Sequence, residues 1–308
     1  MLRRILLALS RNLKFRDLLV ALPVTRAVVD RFVAGDEWEQ ALVRIKALVE
    51  RGLYVTVDVL GEDTTDLAQA EHMVGEYIAL LDNLAAEGLT ERVEVSIKPT
   101  ALGLGLPDGA AVVLANARRI VRRAVEVGTT VTVDMEDHNV TETTVELVEA
   151  LRADAPDVAC VLQAALKRTE QDCARLDAPQ SRVRLCKGAY DSPAEVAFVD
   201  KRDVNISYVR CLRVLMRGEG RPLVATHDPA LIEIAQELAA RTGRGLDDFE
   251  FQMLYGIRSA EQERLADLGH TVRVYVPFGP DWFGYFVRRM AERPANLVFF
   301  LRSFLGRK

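Results

Sequence analysis

Past about residue 36 the chain alternates short apolar runs with longer stretches of helical period, and the alternation recurs eight times. Residues 37–51 carry helical spacing and stop before Gly52. LYVTVDVL (53–60) is β-branched and apolar, the composition of a buried strand, and ends at Gly61 and Glu62. Asp63 and Thr64 are placed to cap the long helix that follows as far as Gly88. VEVSI (93–97), VTVD (131–134), VACVLQ (158–163), VRLC (183–186), PLVAT (222–226), FEFQ (249–252) and VRVYV (272–276) repeat the strand signal. Helical segments follow them at 110–127, 141–152, from about 169, 205–217, 228–242, 259–268 and around YFVRRMAE (285–292). Strands alternating with helices imply a parallel sheet, and eight such units within about 250 residues is the count of a (βα)8 TIM-type barrel, an α/β fold. A doubly wound sheet would leave strands at an edge. No linker or composition shift cuts the unit, so residues 1–35 read as a helical N-terminal arm and residues 36–308 as one barrel domain.

Composition alters this picture mainly at the arm. The hydrophobic fraction of 49% suffices for a core, and a net charge of -5 with a pI near 5.6 argues against a nucleic-acid partner. The arm holds seven basic residues against Asp17 and Asp30, net +5, which leaves -10 for the rest. Its apolar runs are too short for a membrane span, which takes about 20 residues, and it lacks a signal-peptide cleavage site. Leu2, Leu6, Leu9 and Leu13 at helical spacing among basic residues suit a membrane surface or an ordinary docking face. Cys160, Cys173, Cys186 and Cys211 form no CxxC pair and read as reduced thiols, mostly in the core, with no metal role.

Barrel active sites lie where the strands end, so the polar residues at the eight C-terminal ends define the candidate pocket. In order they are Glu62; Lys98; Asp134 with Glu136 and Asp137; Gln163; Arg184 with Lys187, Gly188, Ala189 and Tyr190; Thr226, His227 and Asp228; Gln252; and Tyr275. On the last helix Tyr285, Arg288, Arg289 and Glu292 fall at i, i+3, i+4 and i+7 and share one face, an anion clamp if it faces the same mouth. The surplus of Lys98, Arg184, Lys187, Arg288 and Arg289 over Glu62, Asp134 and Glu292 suits an anionic ligand or two. KGAY after a strand and TH at a helix start suit phosphate. LGLGLPDG (102–109) departs from a dinucleotide fingerprint, with Asp108 and Pro107 where glycine and a helix start belong, so its glycines read as those of a flexible loop.

The strings IKPTALG (97–103), VDMED (133–137), VRLCKGAY (183–190), ATHD (225–228), FEFQMLYG (249–256), RVYVPFG (273–279) and YFVRRMAE, in this order, make the chain resemble the proline dehydrogenase family. The resemblance implies a distorted (βα)8 barrel, its final helix over the mouth, that binds FAD non-covalently. It would oxidise L-proline to 1-pyrroline-5-carboxylate and pass electrons to a membrane quinone. Carried over by position, Lys98, Arg288 and Arg289 would hold the substrate carboxylate, and Tyr275, Tyr285 and Leu185 would line the proline ring with Tyr190 close by. Arg184 would donate to flavin N5, Gln163 would meet the polar edge of the isoalloxazine, and Met135 would contact the flavin. Lys187, Gly188, Ala189, Thr226 and His227 would hold the ribityl, pyrophosphate and adenosine portions, with Gln252 and Glu292 also on the cofactor side. Glu62 would gate the pocket by pairing with Arg288, and Asp134 would set the charge near Lys98 and the flavin. The length resembles the monofunctional form, and the cytoplasm, on the inner face of the membrane, is the implied location. Two alternatives stay open on the residues alone: a Schiff-base aldolase or lyase using Lys98 with Asp134, and a non-catalytic amino-acid-binding barrel.

Overall fold

A computed structural model describes the backbone of residues 29–292 and the side chains of residues 29–287. Among the described residues eight strands close into an all-parallel barrel in chain order: β1 (Tyr54–Val59), β2 (Val93–Ile97), β3 (Val131–Val133), β4 (Ala159–Gln163), β5 (Arg182–Cys186), β6 (Arg221–Ala225), β7 (Glu250–Leu254) and β8 (Thr271–Phe278). The β8–β1 pairing, Tyr54 with Arg273 through Val59 with Phe278, shuts the sheet and leaves no edge. Helix α1 (Trp38–Glu50) precedes the first strand. The outer ring is α2 (Leu67–Ala86), α3 (Gly109–Val127), α4 (Thr141–Arg152), α5 (Thr169–Arg175), α6 (Lys201–Arg217), α7 (Pro229–Thr242), α8 (Ser259–Asp267) and α9 (Trp282–Glu292).

The hydrophobic core lies between the strands and this ring. Val55, Val57, Val95, Ile97, Val183, Leu185, Phe251, Met253, Val272 and Val274 face outward into it, all buried. The positions between them turn inward and are polar: Thr56, Asp58, Glu94, Ser96, Thr132, Arg182, Arg184, Glu250, Gln252 and Arg273, also buried. Strands β1, β2, β5, β7 and β8 therefore alternate, with a period of two, between a dry outer face and a charged lumen, where branched aliphatic side chains are the usual filling; only β4 and β6 set such residues, Val161 and Leu223, in register with Arg184.

Several local expectations shift. The residue that caps α2 is Asp66, whose side chain accepts from Gln69 N at 2.9 Å, and not Asp63 or Thr64. Asp63 instead has φ 53°, a left-handed conformation costly outside glycine, and Thr64 bonds to Thr100. Helix α6 starts at Lys201, earlier than the apolar spacing shows, because Asp200 caps it through Arg202 N at 2.7 Å. The glycine-rich 102–109 stretch is a packed turn rather than a flexible loop: a Cβ on Gly109 would lie 2.0 Å from Leu104 O. The four cysteines are free thiols, with Cys160, Cys173 and Cys211 buried. Residues 1–28, most of the basic arm, lie outside the described residues. Among those described, no helix is long and apolar enough to cross a membrane, and no cluster of His, Cys, Asp or Glu could hold a metal ion.

Candidate active site

The lumen builds upward in two tiers. Below, Glu94 on β2 accepts from Thr56 Oγ1 at 2.8 Å, Thr132 Oγ1 at 2.9 Å and Arg182 Nη2 at 2.6 Å, with Arg184 and Arg273 each 3.7 Å away. Burial alone would raise its pKa, but three guanidiniums outweigh that and hold it far below the usual carboxylate range. Glu250 on β7 takes Arg273 Nε at 2.8 Å and Gln252 Nε2 at 2.5 Å.

Arg184 links this tier to the mouth. Its Nε donates to Gln252 Oε1, and its Nη1 donates to Asp134 Oδ1 at 2.9 Å and to Ser96 Oγ at 3.3 Å. Its Nη2 donates to Thr56 Oγ1 at 3.4 Å, and its Cζ lies 5.4 Å from the Tyr275 ring centroid. Tyr275 OH donates to the other oxygen of Asp134 at 2.8 Å. Burial, then the Asp134 charge, pushes the Tyr275 phenol up, so it stays protonated and remains a donor.

Lys98, one residue past β2, pairs with Asp58 on β1, and both are buried. Burial favours a neutral lysine, but Asp58, Asp134 and Glu62 together raise its pKa and keep it an ammonium. A Schiff-base nucleophile must be neutral, so these surroundings work against that role. Burial and the Asp134 charge raise Asp58 against the pull of Lys98.

Beyond β3, Glu136 accepts from Thr100 N at 2.8 Å and Thr100 Oγ1 at 2.6 Å, and its backbone oxygen accepts from Gln163 Nε2 at 2.7 Å. Burial lifts its pKa to about 7, opposed by the Thr100 bonds and Lys98 and assisted by Glu62. A carboxylate that binds its proton more tightly when folded favours folding most below its unfolded pKa of 4.5, and that advantage disappears as pH rises through 7. The stability difference between the wild type and Glu136→Gln is therefore expected to move against the wild type by about 3 kcal/mol between pH 4.5 and 8. Denaturant melts of both proteins across that range check it, and parallel curves refute it.

The structure thus joins Lys98, Asp134, Arg184, Gln252 and Tyr275 in one connected lumen site, with Gln163 and Glu136 at its rim. Met135, beside Asp134, is buried in the core. Glu62 lies three residues past β1, half-buried, its charge acting on both Lys98 and Glu136. Lys187 pairs with Asp228 at 2.9 Å, and Gly188, Ala189 and Tyr190 follow in the half-buried turn after β5. Thr226 is buried, and His227 Nε2 accepts from Leu254 N at 2.9 Å. Tyr285 on α9 packs with Phe32, Val33, Leu60, Trp282 and Phe286, which seats that helix over the end of β1. Arg288, Arg289 and Glu292 belong to α9 by their backbone, and their side chains lie outside the described residues.

One assignment needs correction. Leu185 alternates with Arg184, so it points away from the lumen, fully buried in the strand–helix core, and cannot line a pocket at the mouth. The leucine on the inner face is Leu254, register partner of Tyr275 at the end of β7. Asp58 was not among the expected site residues, although a lone aspartate at an inward position of an apolar strand was its signal. Glu136 was noted beside Asp134 without a role; its burial and its hold on Thr100 come from the fold.

The family model described as proline dehydrogenase matches residues 41–302. Proline dehydrogenase 1 of Bacillus subtilis subsp. natto is 37% identical over 305 residues, covering 99% of both chains. Proline dehydrogenase of Deinococcus radiodurans is 39% identical over 281 residues, 90% of both chains. The structure of proline utilization A from Bdellovibrio bacteriovorus inactivated by N-propargylglycine superposes with a TM-score of 0.79 at 25% identity over 86% of this chain. This chain spans about a third, 32%, of that protein's length.

Proposed function

Because this chain belongs to the proline dehydrogenase family and is an enzyme of proline oxidation, we propose that it converts L-proline to 1-pyrroline-5-carboxylate with FAD as cofactor and a membrane quinone as final electron acceptor. The residues present fit the cofactor: Gly188, with φ 108°, opens the turn after β5 to close approach, since a Cβ there would sit 3.0 Å from Gln163 Oε1. FAD, when bound, supplies the hydride acceptor at its N5.

The chain's own residues bind and orient. Lys98, kept an ammonium, holds the substrate carboxylate together with Arg288 and Arg289. Tyr275 and Leu254 border the ring, with Tyr285 and Tyr190 completing it. Arg184, fixed by Gln252, Asp134, Ser96 and Thr56, presents an immobile positive charge toward N5. Lys187, Gly188, Ala189, Thr226 and His227 hold the phosphate and ribityl portions, Gln163 and the backbone at Met135 border the ring system, and Gln252 and Glu292 lie on its side. Glu62 closes the mouth by pairing with Arg288. Residues 1–35 supply a peripheral contact with the inner face of the cell membrane, a cytoplasmic location that brings the enzyme to its quinone.

The observation that carries this reading is the array Lys98–Asp134–Arg184–Tyr275, in which both cations are buried. It sets one cation for a carboxylate beside another, rigidly held, for an electron acceptor, and the proton of Tyr275 stays in place. Purified protein is expected to be yellow, and its flavin absorbance to bleach when L-proline is added without oxygen. A colourless protein that still turns over proline sinks the cofactor assignment.

A further inference from the structure

The segment after β1, which carries Glu62, is tied to the next loop through one residue, Thr100. Asp63 N donates to Thr100 Oγ1 at 3.3 Å. Thr64 donates to Thr100 O twice, from Oγ1 at 2.9 Å and from N at 3.3 Å. Thr100 in turn is gripped by the buried Glu136, which takes its N–H at 2.8 Å and its hydroxyl at 2.6 Å. The left-handed φ of 53° at Asp63, which an unconstrained aspartate would rarely adopt, is the conformation these bonds maintain.

We propose that Glu136 is a positioning residue that acts through Thr100 to hold the Glu62 segment against the barrel mouth, and so sets how tightly the pocket closes over substrate.

The polarity of the bonds is fixed. A threonine hydroxyl has one hydrogen. Its oxygen accepts from Asp63 N–H while its hydrogen points to Glu136, and the Thr100 amide points there as well. The carboxylate form of Glu136, present above pH about 7, accepts from both at once. Alanine at position 136 removes both acceptors, so the Thr100 amide and the Thr100 hydroxyl each lose their bond. The charged groups that face Glu136 are Glu62 from the segment itself and Lys98 from the end of β2; Thr100 and Gln163 are neutral. Loosening Thr100 weakens the hold on the segment that carries Glu62, whose charge acts on Lys98, so the effect is read at closure of the pocket.

The effect on substrate rests on the proposed oxidation of proline, while the hold on the segment does not. Hydrogen exchange of the full-length protein without substrate therefore comes first, with the β2 and β4 amides as the folding check. In Glu136→Ala and in Thr100→Val the Asp63 amide is expected to exchange about tenfold faster than in the wild type, and Thr100→Ser is expected to restore protection. Steady-state kinetics should then show KM for proline about tenfold higher in the first two variants, with kcat within about twofold and Thr100→Ser normal. Unchanged exchange in both loosened variants overturns the proposal, as does faster exchange with an unchanged KM. If the wild type fails to oxidise proline the functional reading falls alone, and the exchange measurement still decides whether Glu136 holds the segment.

Discussion

Replacing Arg184 with methionine is expected to lower the rate of proline-dependent flavin reduction by about 10²–10³-fold, the loss typical of removing one preorganised electrostatic contact. Methionine keeps much of the length of the side chain, so the expected damage is to charge and not to packing. The guanidinium donates to Gln252, Asp134, Ser96 and Thr56 and lies over the Tyr275 ring, so it is immobile before any ligand arrives. A charge that need not reorganise is worth more than the same charge on a mobile surface arginine. The same substitution should make the midpoint potential of the bound FAD more negative, because a buried cation favours the electron-rich reduced form. Rapid-mixing kinetics and spectroelectrochemistry on the same preparation check both effects. A rate within tenfold of the wild type together with an unmoved potential would show that Arg184 is no more than a strut between β5 and β7.

The barrel itself was legible because each strand is an apolar run of the right length followed by a helix, and eight of them close without remainder. The strand ends were legible for the same reason, since a polar residue just after an apolar run stands out. What lies inside the strands was harder to read. Thr56 and Asp58 within LYVTVDVL, and Glu94 and Ser96 within VEVSI, alternate with valines in a way that fits a strand with one wet face as well as a charged lumen. Only closure, Tyr54 against Arg273 and Thr56 against Tyr275, decides that those faces look inward at one another. Leu185 was misplaced for a related reason: it adjoins Arg184 in sequence, and in a strand adjacent residues point to opposite faces. The misjudged cap at Asp63 and Thr64 has a different origin. Both residues are good caps by type, and their bonds to Thr100 come from a loop 36 or 37 positions away that no local pattern reveals.

The Lys98–Asp58 pair offers the second large effect, on stability. Asp58→Ala is expected to destabilise the fold by about 3–5 kcal/mol, the cost of leaving a buried charge without its partner, with the lower end expected because Asp134 and Glu62 also face Lys98. Lys98→Met differs in kind. It leaves Asp58, fully buried and already pushed upward by desolvation and by Asp134, with no cation against it. Asp58 then takes up a proton sooner than it stays charged, so its folded-state pKa rises further. A carboxylate raised in this way favours folding at low pH and loses that advantage as pH rises through its folded pKa. The destabilisation by Lys98→Met should therefore be smaller at pH 5 than at pH 8, whereas the loss in Asp58→Ala, in which that carboxyl is gone, should not grow over that interval. The double variant Asp58→Ala with Lys98→Met should lose less than the two single losses combined, because neither charge is then left buried alone. Denaturant melts of the four proteins at the two pH values test this. Strict additivity, with no pH dependence in Lys98→Met, would mean that the two side chains are neighbours without being an ion pair that the fold relies on.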